Sequence, residues 1–178
     1  MTSYVALLRA VNVGTNQIKM DRLRAAFVRA GHDDVATHIQ SGNVLFNSTL
    51  GAVAAHEHTE TVLRDEFGEP IVALIRTAKQ LASVCASNPF LPAEADTTTL
   101  YVAFLTAEPS AADLATFMTS VDKTADEVRV VGTHAYIRYA NGAGRSKLTT
   151  ATWKRLGVDS TARNWNVTNK LAELAAAR

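Results

Sequence analysis

Polar side chains able to do chemistry gather in a few short stretches. Arg9-Ala10-Val11-Asn12-Val13-Gly14 ends the apolar run Tyr4-Val5-Ala6-Leu7-Leu8. Gln40-Ser41-Gly42-Asn43 is the second stretch, and Asn141-Gly142-Ala143-Gly144-Arg145-Ser146-Lys147 the third. Arg163-Asn164-Trp165-Asn166, with Lys170 beyond it, is the fourth. These groups are guanidinium, ammonium, amide and hydroxyl, with no carboxylate among them. Arg9 offers donors in a fork that fits phosphate or carboxylate. Asn12, Gln40 and Asn43 each donate and accept. Such a set recognises a polar anion better than it moves protons.

Each stretch also has a purely structural reading. Asn, Ser and Gly are what turns require, and a half-buried arginine can satisfy carbonyls. The glycine-rich run reaching Ser146 and Lys147 puts free backbone N–H groups at a helix start, which suits phosphate; it is equally a capped turn. It is not a Walker A loop, because Lys147 follows Ser146 and Leu148 stands where Ser or Thr belongs. Arg163 beside Trp165 can stack on a base. Alternatively Trp165 is a buried anchor and Asn164 caps the helix that follows.

Familiar catalytic patterns are missing. His32, His38, His56, His58 and His134 form no H-E-x-x-H, and no G-x-S-x-G occurs. His56 and His58 are two apart and do not share a helical face. Each histidine reads as a surface or turn residue, with His38 nearest the Gln40 stretch. Asp33-Asp34 reads as a turn and Asp65-Glu66 as a solvated helix end. Cys85 reads as a small core residue; as the single cysteine it excludes an internal disulfide and argues against structural zinc. No metal and no cofactor is expected.

The elements that must carry these residues follow from periodicity. Ser3–Val11 is apolar on both faces, a central strand. Lys19–Gly31 sets Met20, Leu23, Ala26 and Phe27 on one helical stripe and stops at Gly31. Residues 34–48 read as a hairpin around Ser41-Gly42-Asn43. A helix stopped by Gly68 and a strand from Pro70 to Thr77 complete β-α-β-β-α-β. A short helix from Ala78 leads to Asn88-Pro89-Phe90-Leu91-Pro92, a linker by its two prolines. The second half repeats: a strand over 98–106, and a helix capped by Ser110 with Asp113 in the capping-box place. A hairpin at Gly132-Thr133 follows, then a helix over 147–157. A final helix runs from about Trp165 to Ala177, with no clear closing strand. Val5–Arg9 and Val72–Arg76 echo each other faintly.

The expected fold is α+β: two related ferredoxin-like subdomains, residues 1–90 and 91–178, with helices packed on antiparallel sheets and joined as one compact unit. The crossover makes the first and second strands run the same way. Arg9 and Asn12 then lie at the same sheet end as Gln40, Ser41 and Asn43.

The chain of 178 residues is 47% hydrophobic and 20% charged, ordinary for a globular protein. No apolar run approaches the roughly 18 residues that span a bilayer. The first apolar stretch, broken by Arg9 with no basic residue ahead of it, is no signal peptide. A cytoplasmic protein with no membrane partner is expected; no oligomeric state follows. The net charge of +1 is unevenly spread. Residues 1–31 carry +4, residues 32–127 carry −10 and residues 128–178 carry +7. Basic ends of this kind suit an anionic ligand.

The ordered motifs Y-V-A-L-L-R-A-V-N-V-G, I-Q-S-G-N-V-L-F, N-P-F, G-R-S-K-L and T-A-R-N-W-N-x-x-x-K-L resemble a bacterial family catalogued as domain of unknown function 1697. The resemblance runs from Tyr4 to about Leu174. It implies an α+β fold of two related subdomains and no assigned activity, cofactor or substrate. Its signature positions fall on Arg9, Asn12, Gly14, Gln40, Ser41, Gly42, Asn43, Asn88, Pro89, Phe90, Ser146, Lys147, Arg163, Asn164, Trp165 and Lys170. Ala10 departs from it, standing where glycine is more usual.

The leading expectation is a protein that binds a phosphate-bearing ligand, a nucleotide-like metabolite or nucleic acid. Arg9, Lys147, Arg163 and Lys170 would supply charge. Asn12, Gln40, Ser41, Asn43, Ser146 and Asn164 would orient the ligand. The alternatives are an enzyme acting on a phosphorylated small molecule, for which no base or nucleophile stands out, and motifs that only lock the two subdomains.

Overall fold

The computed structural model describes residues 1–12, 17–68, 70–91 and 96–178, so Gly14 and Pro92 lie outside the described residues. The chain divides into two compact units, Met1–Ala86 with Asn169–Arg178, and Ser87–Thr168.

The first unit contains β1 (Thr2–Leu8), α1 (Met20–Arg29), β2 (Asp33–His38), β3 (Asn43–Ser48), α2 (Ala52–Phe67), β4 (Ala73–Thr77) and α3 (Ala78–Ala86). Its four strands form an antiparallel sheet in the order β2-β3-β1-β4, the ferredoxin-like arrangement. Strand alternation sends Tyr4, Ala6 and Leu8 to one face of β1, where they join Leu23 and Phe27 of α1 and Leu63 of α2 in a buried core. Val5 and Leu7 on the opposite face are also fully buried, so β1 reads apolar throughout. β1 and β2 run in the same direction, with β3 hydrogen-bonded between them.

The acidic pairs differ from the sequence reading. Asp33 and Asp34 begin β2 instead of making a turn; the strand bulges between Asp33 and Ala36, and Asp34 has φ +47°. Arg178 pairs with the Asp34 carboxylate at 2.7 Å. Glu66 is no solvated helix end. It accepts from Arg22 Nε at 2.6 Å and also pairs with Arg29, clamping α2 to α1. The Arg22 hydrogen bond leads in holding its carboxyl below the usual range. His32 is buried at 5% exposure, against its reading as a surface or turn residue.

The second unit contains β5 (Leu100–Leu105), α4 (Ala111–Val121), β6 (Glu127–Val131), β7 (His134–Arg138), α5 (Thr150–Trp153) and β8 (Ser160–Asn164). α6 (Trp165–Ala176) follows β8 directly. The strand order β6-β7-β5-β8 repeats that of the first sheet, again antiparallel. The central strands match in sequence too: Tyr101-Val102-Ala103-Phe104-Leu105 of β5 against Tyr4-Val5-Ala6-Leu7-Leu8 of β1. Ala103 and Leu105 pack with Phe117, Val121, Ile137 and Leu156. Ser110 caps α4 by accepting from Asp113 N–H at 3.1 Å, and its hydroxyl donates to the Asp113 carboxylate at 2.6 Å.

Three expectations are corrected here. The closing strand of the second half exists: it is β8, five residues long, with only Thr161 and Arg163 turned inward. The helix expected over 147–157 shrinks to the single turn of α5 followed by a 3-10 turn, Lys154–Leu156. Its cap is Thr149, whose hydroxyl accepts from Thr152 N–H, while the Ser146 hydroxyl donates to Asp126 at 2.6 Å. Asn88 and Phe90, expected in a linker, are buried. Phe90 N–H donates to Asn88 Oδ1 at 2.9 Å, and the Arg138 guanidinium lies 5.5 Å from the Phe90 ring centre.

Candidate functional site

Beyond Leu8 the chain leaves the sheet by an unusual path. Leu8 N–H donates to Gly42 O at 2.8 Å, and Arg9 N–H to Val72 O at 2.9 Å. Ala10 and Asn12 then take left-handed backbone, φ +54° and +56°. Asparagine tolerates that region; alanine does so at a cost. The left-handed turn explains why glycine suits position 10.

Asn12 ties this loop to the hairpin between β2 and β3. Its Nδ2 donates to Gln40 O at 2.7 Å and to Ile18 O at 3.0 Å, and its Oδ1 accepts from Ile18 N–H at 2.6 Å. The hairpin is itself twisted into left-handed backbone at Ile39, φ +50°, and Gly42, φ +71°. A side chain at Gly42 would strike Val11 Cγ2 and come within 2.9 Å of Leu8 Cβ, so glycine is required by space as well as by φ. Asn43 is fully buried; its Nδ2 donates to His38 O and to Ser41 Oγ, each at 3.0 Å. Arg9, Asn12, Gln40, Ser41 and Asn43 therefore gather around one sheet end, where the Asn12 amide joins the loop to Gln40 and the Asn43 amide joins Ser41 to the end of β2.

A pocket of about 410 Å³ opens beside this junction, lined by Gln17, Ile18, Lys19, Met20, Asp21 and Gln40. Its wall is the start of α1. Lys19 holds the cap position but makes no capping hydrogen bond through its side chain. The first backbone bond of the helix runs from Leu23 N–H to Lys19 O. The N–H groups of Met20, Asp21 and Arg22 thus have no carbonyl within the helix. Lys19 and Asp21 are both exposed, and Asp21 lies 3.7 Å from Arg24.

Lys170, on α6, belongs to the first unit. It is exposed and pairs with Glu173 at 2.8 Å. His38 at the end of β2 is held below the ordinary histidine value by burial and, second, by the Lys170 charge. It is therefore neutral at pH 7.

The remaining predicted residues lie in the second unit, where hydrogen bonds of the fold engage three of them. Ser146 Oγ donates to the buried Asp126 at 2.6 Å and accepts from Leu148 N–H at 3.0 Å. Arg163 is 7% exposed; Nη1 donates to Thr161 Oγ1 at 2.8 Å and to Ala162 O at 2.9 Å. Burial brings its pKa down to about 10. Asn164 Oδ1 accepts from Val167 N–H at 2.8 Å and so caps α6, while Trp165 is buried at 5% exposure. Lys147 is exposed.

Gln17 and Lys19 line the pocket but were not singled out from the sequence. The signal for Lys19 was an absence: no Ser, Thr, Asp or Asn precedes α1 at the cap position. Among the described residues no group of three or more His, Cys, Asp or Glu side chains could hold a metal ion. Nor, among them, is any helix long and apolar enough to cross a membrane.

Comparison with curated proteins finds no match. In structure the chain is similar to the conserved bacterial protein SP0830 from Streptococcus pneumoniae, with a TM-score of 0.73, 20% identity and 99% of each chain covered. That likeness extends to the fold. The family model described as a protein of unknown function, DUF1697, matches residues 1–136. With three quarters of its length so matched, the chain belongs to the DUF1697 family.

Proposed function

We propose that the pocket at the start of α1 binds a phosphate-bearing ligand, a nucleotide-like metabolite or nucleic acid. One observation carries the reading: a helix start whose cap residue, Lys19, makes no side-chain cap hydrogen bond lines a pocket together with Gln17 and Gln40. First-turn N–H groups without a carbonyl in the helix and the helix dipole both favour an anion there. Arg9 and Lys170 add charge in the same unit, and Asn12 holds Gln40 in place. Asp21 opposes an anion, which supplies a sign test.

A thermal-shift screen of nucleotides and phosphorylated metabolites tests this reading on the intact protein. At least one should raise the melting temperature. Lys19→Ala should remove the shift and Asp21→Asn should enlarge it. If no phosphate compound raises the melting temperature, the reading fails. For nucleic acid, affinity should fall steeply with salt; a flat salt response in an anisotropy titration removes that variant.

The structural reading of the signature has its own support in Asn12, whose amide is spent on Ile18 and Gln40. Under it, Asn12→Ala destabilises and no ligand stabilises. An enzyme reading rests on neutral His38 beside Lys170 as a base. It requires turnover of a phosphorylated compound that His38→Ala abolishes.

A further inference from the structure

His32 lies among aromatic rings. Its ring centre is 4.5 Å from that of Phe46 on β3 and 5.8 Å from that of Phe27 on α1. His58 of α2 meets it edge-on, with ring centres 5.1 Å apart and planes at 72°. His32 Nε2 is buried with no hydrogen-bond partner. His58 Nε2 lies 3.1 Å from the carbonyl of Ala30, the C-cap residue of α1. Carbonyls there lack helical partners, so the tautomer with hydrogen on Nε2 donates to it. His58 from α2 and Asp33 from β2 are the charged or titratable groups acting on His32; α1 and β3 present the rings of Phe27 and Phe46.

We propose that His32 and His58 form an acid-sensitive latch: with both rings neutral they hold the C-terminal end of α1 against α2 and β3, and proton uptake releases it. A protonated His32 would place its Nε2–H in an apolar site with no acceptor. Protonated His58 would still donate to Ala30, so the latch fails first by the burial of an unpaired charge on His32 and second by repulsion from His58, not by loss of that bond. Asp33 favours the charged His32 but is exposed at the first position of β2. Burial first and His58 second outweigh it and set the His32 pKa below 6.5. The unfolded chain takes up this proton near the ordinary histidine value, and the folded chain resists. Stability is therefore intact above that value and lost as pH falls from it through the folded pKa.

The test is a histidine NMR titration of the intact protein between about pH 8 and pH 5. It is combined with urea unfolding and amide protection factors across the same range. His32 should stay neutral well below the ordinary value. Protection at Ala30, Gly31 and His32 should fall as it takes up its proton. The folding constant of the wild type should lose about tenfold more per pH unit than that of His32→Phe, one proton's worth. His58→Gln keeps a donor for Ala30 but removes the like charge, so it should raise the His32 midpoint. A His32 that titrates at its ordinary value with protection unchanged overturns the latch, as does an acid slope unaltered in His32→Phe. If His32→Phe does not fold, coincidence of the His32 midpoint with loss of protection in the wild type supports the latch; separation of the two overturns it.

Discussion

Arg76 and Arg163 hold the same position in their two sheets. Arg76 pairs with Val5 of β1, and Arg163 with Val102 of β5. Each donates from Nη1 to the carbonyl of the residue before it, both at 2.9 Å. Burial lowers the pKa of each.

The two differ in depth, and that sets the first prediction. Arg163→Ala should cost about 2–4 kcal/mol, because a buried guanidinium bonded to Thr161 and Ala162 is lost. Arg163→Lys should recover little, since an ammonium cannot reproduce the planar fork between Thr161 and Ala162. Arg76, only partly buried, should cost less on truncation. Urea unfolding ranks the three; an Arg163→Lys protein as stable as the wild type contradicts this account.

The loop beyond β1 gives the second prediction. Asn12→Ala removes three hydrogen bonds and should lower stability by about 2–3 kcal/mol. Ala10→Gly relieves left-handed strain and should raise stability by up to about 1 kcal/mol, the gain limited by the greater freedom of glycine when unfolded. Opposite signs at positions two residues apart are read from melting temperatures. A destabilised Ala10→Gly protein would mean that the left-handed turn is not strained.

In the third, Ser146 and Lys147 should separate cleanly although they are adjacent. Ser146→Ala strips a donor from the buried Asp126 and should cost about 1–3 kcal/mol. Lys147→Ala, at an exposed position, should stay within about 0.5 kcal/mol of the wild type. Equal effects in denaturant unfolding would remove the distinction.

The fourth concerns alkali. Burial leads in raising the Tyr139 pKa to about 12, with Asp126 and Tyr101 adding to it. The folded state keeps this proton where the unfolded chain releases it near pH 10. Stability from Tyr139 is therefore complete below about pH 10 and lost as pH rises toward 12. An ultraviolet titration should show phenolate from Tyr139 appearing only with unfolding, and Tyr139→Phe should flatten that alkaline loss. A Tyr139 that ionises near pH 10 in the folded state defeats the prediction.

The long periodic elements were legible because their apolar faces are continuous: α1 by Leu23, Ala26 and Phe27, and β1 by its double-sided run. β8 was not, because Ser-Thr-Ala-Arg-Asn buries a hydroxyl and a guanidinium where strands usually bury hydrocarbon. The meeting of Asn12 with Gln40 followed from strand direction alone. That the Asn12 amide would be spent on backbone groups did not, since turn chemistry is settled by φ values no composition reveals. His32 was misread because Gly31, Asp33 and Asp34 surround it in sequence, while Phe27 and Phe46 surround it in space. The echo noticed between residues 5–9 and 72–76 joins strands that pair within one sheet. The deeper repeat is between β1 and β5.

That repeat bears on how the chain refolds. β1 and β5 share Tyr, Val, Ala and a closing Leu, with Phe104 in the place of Leu7, and each lies between two strands at the equivalent place of its sheet. A β5 placed beside β3 in place of β7 would be a domain-exchanged pairing of the kind repeated chains are exposed to. Divergence between the partners counters this: Asn43 faces Leu7 where His134 faces Phe104, and Phe46 faces Tyr4 where Ile137 faces Tyr101. The side chains of β3 and β7 thus give two closely similar strands different cross-strand partners in their own sheets.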